Sequence, residues 1–189
     1  VIIESIVTTL REDGSVHIAP MGVRVQDGLP VLAPFRPSTT LENLRRERHA
    51  VINLTDDVRI FAGCLTGRRN WPTQPARIVP GAVLKQVLTH RELKVVREED
   101  DTLRPRFFCR VMHEEVHSAF QGFNRAQTAV VEAAILVSRL PMLPAQKVDQ
   151  EMAYLRIAIE KTAGPREQEA WDWLVARIEE FRKEAGERA

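Results

Sequence analysis

A chain of 189 residues is long enough for one domain with a real core, or for a domain with a helical appendage. Apolar residues make up 44% and charged residues 28%, and a net charge of +1 with interspersed signs favours neither nucleic acid nor an anionic membrane as partner. The longest apolar stretch, Ala126 to Leu140, is broken by Gln127, Glu132 and Arg139 and is too polar to span a bilayer; with no signal peptide before the first strand and with Cys64 and Cys109 isolated, a cytoplasmic protein with free thiols is expected.

Val1 to Leu10 is rich in β-formers, and Glu12-Asp13-Gly14-Ser15 supplies a hairpin turn. Val16 to Val25 returns as a strand with Pro20 and Gly22 in its middle, so it is an edge or carries a bulge there. Gly22 in such a bulge lets a flat ligand lie close to the backbone. Gln26-Asp27-Gly28 turns again, and Leu29 to Phe35 is the third strand. A helix is expected from Thr39 to about Arg48, with Thr39 as N-cap and Glu42 at the third helical position, a capping box.

That helix start has a second reading. Arg36 and the hydroxyls of Ser38, Thr39 and Thr40 stand where a helix has free N–H groups, and such a terminus attracts anions, a phosphate above all. Ala50 to Leu54 reads as a buried strand, Asp57 to Leu65 as one or two helical turns. Gly67 to Pro80 is expected to be a long surface loop, either covering a site or serving as a connector. Glu92 to Val96 and Arg104 to Val116 are strands joined by the acidic turn Glu98 to Asp101. The second alternates, with Phe107, Cys109 and Val111 on one face and Phe108, Arg110 and Met112 on the other.

From Gly122 the pattern turns helical. Asn124 caps a helix with Gln127 at its third position, running to Leu140. A second helix spans Ala145 to Lys161, and a third spans Glu167 to about Ala185, with Trp171, Leu174, Ile178 and Phe181 as its packing stripe. The expected boundaries are residues 1–121 for a β-rich domain and 122–189 for a helical segment packed on it.

His113-Glu114-Glu115-Val116-His117 matches the zinc-protease signature HExxH, which needs both histidines on one helix face. The residues before it alternate as a strand, where positions four apart stand ~13 Å apart, too far to share one ion. A zinc hydrolase using His113, Glu114 and His117 is therefore a remote alternative, and no metal is expected. His17, His49 and His90 are scattered and suggest no constellation. Nucleophile-elbow, Walker and dinucleotide-binding glycine motifs are all missing from the sequence.

The order of features is informative: Thr8-Thr9, Asp13-Gly14, His17-Ile18-Ala19-Pro20-Met21-Gly22, Pro37-Ser38-Thr39-Thr40-Leu41-Glu42-Asn43-Leu44, then Val51-Ile52-Asn53-Leu54. It resembles the FMN-binding split-barrel proteins of the flavin-reductase-like group, with their TT…DG…NIAP hairpin, S-x-T-x-x-N stretch and VVNL strand. Over its whole length, including Arg104-Pro105-Arg106-Phe107 and Gly122-Phe123-Asn124-Arg125-Ala126-Gln127, the chain is similar to a family of conserved flavin-binding proteins of archaea and methylotrophic bacteria within that group. His17 stands where Asn is common in the group, and Gly22 where Ser is common.

The resemblance implies an α+β protein: a six-stranded, Greek-key-like split β-barrel followed by three helices. It implies FMN, with Ala19, Pro20, Met21 and Gly22 along the isoalloxazine and Ser38, Thr39 and Thr40 on the phosphate. Arg36 is the charge partner, Asn43 orients the loop, and Asn124 and Arg125 reach the flavin from a partner subunit or serve as a helix cap and a surface cation. It further implies a homodimer, with the apolar helix from Ala126 to Val137 covering the contact. The activity expected is that of an FMN-dependent oxidoreductase or flavin reductase fed by NAD(P)H. The alternative is a flavin carrier or electron-transfer module without turnover.

Overall fold

The computed structural model describes residues 1–186. Two glycine turns lay down its first three strands, β1 (Ile2–Leu10), β2 (Val16–Gln26) and β3 (Leu29–Leu32). Gly14 has φ 78°, and Asp27 and Gly28 have φ 53° and 75°, the left-handed values that tight hairpin turns require. Helix α1 (Thr39–Glu47) then carries the chain to β4 (His49–Leu54), which pairs back onto β1. Helix α2 (Arg59–Leu65) and the short hairpin β5 (Thr73–Pro75) and β6 (Ala82–Leu84) come next. The long strands β7 (Thr89–Glu99) and β8 (Arg106–Val116) close the sheet, β7 on β4 and β8 on β3.

The result is a closed six-stranded barrel in the order β1-β2-β3-β8-β7-β4. The return of β4 to lie beside β1 is a Greek-key connection. One face of each strand fills the interior: Val7, Met21, Val23, Leu32, Ala50, Ile52, Leu93, Val95, Phe107 and Cys109. Leu41 and Leu44 of α1 join the same apolar cluster.

Several boundaries differ from the sequence reading. Strand β3 stops at Leu32 rather than Phe35, because the Arg104 guanidinium takes the Ala33 carbonyl and the Arg36 N–H bonds the Leu103 carbonyl instead of a ladder partner. Strand β8 begins at Arg106, after Pro105, with the N–H groups of Leu103 and Arg104 both held by the Asp101 carboxylate. The long loop expected at 67–80 contains β5. No bulge occurs at Pro20 or Gly22, since the β1–β2 register runs unbroken from Ile2↔Arg24 to Leu10↔Val16. Strand β2 meets β3 only over Arg24–Gln26, so Pro20 lies in an edge stretch where its missing N–H is tolerated.

The β7–β8 register shifts twice: Met112 is the extra residue on β8 between the pairs Glu92↔His113 and Leu93↔Val111, and Val96 is the extra residue on β7 between Val95↔Cys109 and Arg97↔Phe108. Phe107, Phe108 and Cys109 are all buried, whereas Val111 and Met112 are exposed. Phe108 is covered by the Arg97 guanidinium, 3.8 Å above its ring.

The strands and the hairpin belong to one unit, residues 1–55 and 71–120. The second unit joins residues 56–70 to the chain from Gln121 onward. It holds α2 together with α3 (Arg125–Ser138), a 3-10 turn at Leu140–Met142, α4 (Ala145–Thr162) and α5 (Pro165–Gly186). Small residues of α3 (Ala126, Ala129, Ala133 and Ala134) let its neighbours approach closely, and Trp171, Leu174 and Ile178 of α5 fill the space. Asp57, buried, pairs with Arg59 at 2.7 Å, and Arg59 reaches Glu169 on α5 at 3.2 Å. Among the described residues no helix is long and apolar enough to cross a membrane.

Candidate anion site at the start of helix α1

Helix α1 begins one residue earlier in its cap than the capping-box reading requires. Ser38, not Thr39, is the N-cap: its backbone is extended (φ −162°) and its Oγ accepts the Leu41 N–H at 3.3 Å. Thr39 and Thr40 are therefore the first two helical residues, whose N–H groups have no intrahelical acceptor. Glu42 falls at the fourth helical position and adds a favourable charge to the first turn without closing a box.

The three hydroxyls differ in what they face. Thr39 is half-buried and its side chain makes no hydrogen bond among the described residues. Thr40 is buried, with Oγ1 3.2 Å from His17 Nε2. The other nitrogen of that ring, Nδ1, lies 3.2 Å from the Arg11 guanidinium. A guanidinium only donates, so in the neutral ring Nδ1 accepts and Nε2–H donates to Thr40, which leaves the Thr40 hydroxyl proton to donate onward. Arg11 and His17 thus belong to this helix start, a placement absent from the sequence reading. The available signal was the period of β2, which puts His17 on the same face as Ala19 and Met21.

Asn43 is buried, and its side chain bonds β1 and the next turn of α1. Its Nδ2 donates to Thr9 Oγ1 at 2.9 Å and its Oδ1 accepts from Arg46, which ties α1 to β1. Arg36 pairs with Asp100, a carboxylate shared with Arg45. Both members of the Arg36 pair are well exposed, so the pair holds the guanidinium only weakly. The Arg36–Pro37 peptide bond is cis.

On β2, Met21 is buried in the barrel interior, and Ala19, Pro20 and Gly22 are half-buried. The space over Gly22 is already used: a Cβ there would stand 2.6 Å from Ile2 Cγ2. Asn124 and Arg125 lie in the second unit. Asn124 caps α3 by accepting the Ala126 N–H at 2.8 Å, and its Nδ2 donates to the Thr162 carbonyl. Gln127, expected to complete that cap, instead donates to Glu167. Arg125 is exposed.

The structure therefore brings together Ser38, Thr39 and Thr40, with Arg11 and His17 behind Thr40 and Arg36 just before the helix. As donors these suit one anionic group: a helix start, hydroxyls and a guanidinium that its partner does not hold tightly.

The 67–80 segment has a separate task. The N–H groups of Arg77, Ile78 and Val79 converge on the fully buried Glu92 carboxylate at 2.7, 2.7 and 2.9 Å. Burial pushes the Glu92 pKa up, but these three bonds and one from His90 outweigh it and leave it below the ordinary value. The HExxH run lies on strand β8 and its continuation, so the helical zinc-protease arrangement does not form.

Two family models match the chain. The N-terminal domain of the family described as "Protein of unknown function (DUF447)" matches residues 3–118, and a second model of that family matches residues 124–176. No curated protein matches the sequence significantly. Among solved structures, an FMN-bound protein of Methanosarcina mazei is 18% identical over 93% of this chain and 94% of its own, with a TM-score of 0.82. The 2-nitrobenzoate 2-nitroreductase of Pseudomonas fluorescens is 18% identical over 60% of this chain, with a TM-score of 0.53, and the match spans 64% of the nitroreductase. Nitrilotriacetate monooxygenase component B of Bacillus cereus is 16% identical over 66% of this chain and 75% of its own, with a TM-score of 0.52.

Proposed function

We propose that this chain, which belongs to the DUF447 family, binds FMN with its phosphate at the start of α1 and serves as an FMN-dependent oxidoreductase. The observation that carries this reading is the cluster of donors at that helix start, on a barrel like that of the FMN-bound Methanosarcina protein. Ser38, Thr39 and Thr40 would hold the phosphate with the first-turn N–H groups, and Arg36 would supply the charge. A single anion site suits FMN, whose phosphate is terminal, better than FAD. Ala19 to Gly22 would flank the isoalloxazine, with His17 holding the strand to the helix through Thr40. FMN, when bound, supplies the hydride and electron chemistry, so the chain itself needs no nucleophile or acid–base dyad.

The protein is proposed to act as a homodimer. Val111, Met112 and Val116 of β8 and Ile2 and Ile3 of β1 are apolar and exposed, which a subunit contact would correct.

The test begins with the purified full chain. It should be yellow, or become so with added FMN, with an absorbance band near ~450 nm from the bound isoalloxazine. Mass spectrometry of the released flavin should give FMN. Anaerobic NADH or NADPH should then bleach the band. A protein that binds FMN but is bleached by neither is a carrier or electron-transfer module. A protein that takes up no flavin refutes the reading.

A further inference from the structure

A second cluster of chemistry-bearing side chains lies at the other end of β7 and β8. Read with the period of a strand, the run from His113 to His117 sets His113, Glu115 and His117 on one face and Glu114 on the other, where Arg91 pairs with it at 3.1 Å. The register shift beside Glu92 aligns Glu92 with His113 and His90 with Glu115. A third imidazole therefore faces His113 and Glu115 from the neighbouring strand.

The three side chains are close enough for their donors to converge on one ion. One donor atom from each of His90, His113 and Glu115 lies within 4.8 Å of the other two. His113 Nε2 and Glu115 Oε2 are 3.4 Å apart. Two donors bound at ~2.1 Å to one tetrahedral ion stand about 3.4 Å apart, so this pair needs little rearrangement. His117 adds an imidazole at the edge of the set, its Nε2 2.8 Å from His90 Nδ1.

The most buried member is also the best supported. His90 is 2% exposed, and its Nε2 faces Glu92 Oε1 at 3.4 Å. Glu92 is itself fixed by the three N–H groups of residues 77–79. A carboxylate behind an imidazole is the usual support of a metal-ligating histidine, since it orients the ring and raises its basicity. His113 is half-buried and Glu115 exposed, which leaves the set open to an ion from solvent. Two imidazoles and one carboxylate suit zinc and its first-row neighbours, whereas magnesium and calcium prefer oxygen alone.

We propose that His90, His113 and Glu115 bind a divalent transition-metal ion of the zinc class. The site uses the residues of the HExxH run with a strand's period instead of a helix's, and it does not depend on the flavin reading. The full chain, stripped with chelator, is titrated with Zn2+ against a chromogenic competitor and with Co2+ in the visible. One ion per chain is expected, with a Co2+ band of mixed nitrogen and oxygen ligation. His113→Ala and Glu115→Gln should each weaken binding at least tenfold, since even supporting residues behind metal ligands matter by that much. Glu114→Gln, on the opposite face, should bind as the unaltered protein does. Circular dichroism checks folding, and Glu115→Gln, an isosteric change at an exposed position, carries the test should His113→Ala fail to fold. The proposal is overturned if the unaltered chain takes up neither ion, if Glu115→Gln binds as tightly as it does, or if Glu114→Gln weakens binding equally.

Discussion

Thr39→Ala and Ser38→Ala separate anion binding from helix capping. Thr39 is the first residue of α1 and makes no side-chain hydrogen bond among the described residues, so truncating it removes a donor for an anion and little else. Ser38 accepts the Leu41 N–H, so its loss also removes a cap worth about 1 kcal/mol. A hydrogen bond to a charged group contributes on the order of 1.5–3 kcal/mol. Thr39→Ala should therefore weaken FMN binding roughly ten- to hundredfold, with the flavin-free melting temperature unchanged. Ser38→Ala should weaken FMN similarly and also lower that melting temperature by about 2–4 °C. Titration by flavin fluorescence, with riboflavin in parallel, reads the affinities. Riboflavin lacks the phosphate, so it should bind far more weakly than FMN and should be insensitive to Thr39→Ala. Equal binding of FMN and riboflavin by the unaltered protein would refute the anion site, as would an FMN affinity untouched by Thr39→Ala.

Arg36→Ala should narrow the preference for FMN over riboflavin, while stability in urea changes by less than about 1 kcal/mol, because its pair with Asp100 is exposed. Asn43→Ala strands the buried Thr9 hydroxyl and should destabilise the protein by about 1–3 kcal/mol in the same assay. Burial pushes the thiols of Cys64 and Cys109 up to about 11 and about 12, so neither should react with a thiol reagent at pH 8 until the protein unfolds. The same shifts make stability fall as pH rises. Below the unfolded value of 9.0 both states keep the proton; above it the unfolded chain ionises first, at up to about 1.4 kcal/mol per thiol per pH unit. Urea titrations at pH 8 and pH 10 should show that loss.

What was legible in the sequence is what short stretches of chain decide. Gly14, Asp27 and Gly28 take left-handed values because glycine and aspartate tolerate them, and the neighbouring strands follow. The packing stripe of α5 and the donor-rich start of α1 follow from the 3.6-residue period and from the four N–H groups that every helix start leaves unbonded. Which hydroxyl caps α1 was not legible, because Ser38 and Thr39 are both capping residues and only the backbone shows Ser38 extended and Thr39 helical.

The tertiary structure decided everything that depends on two distant segments meeting. Pairing of β7 with β8 carries two register shifts that no single strand records, and Phe108 is buried beside Phe107 and Cys109 because Arg97 of β7 covers its ring. His17 gained a role only when β2 met α1, where Arg11 and Thr40 take its two nitrogens. His90 and His113, 23 positions apart in sequence, face each other because β7 and β8 are antiparallel neighbours. A sequence displays each residue's chemistry and local period, but strand register depends on the summed packing of both faces, and register decides which side chains converge.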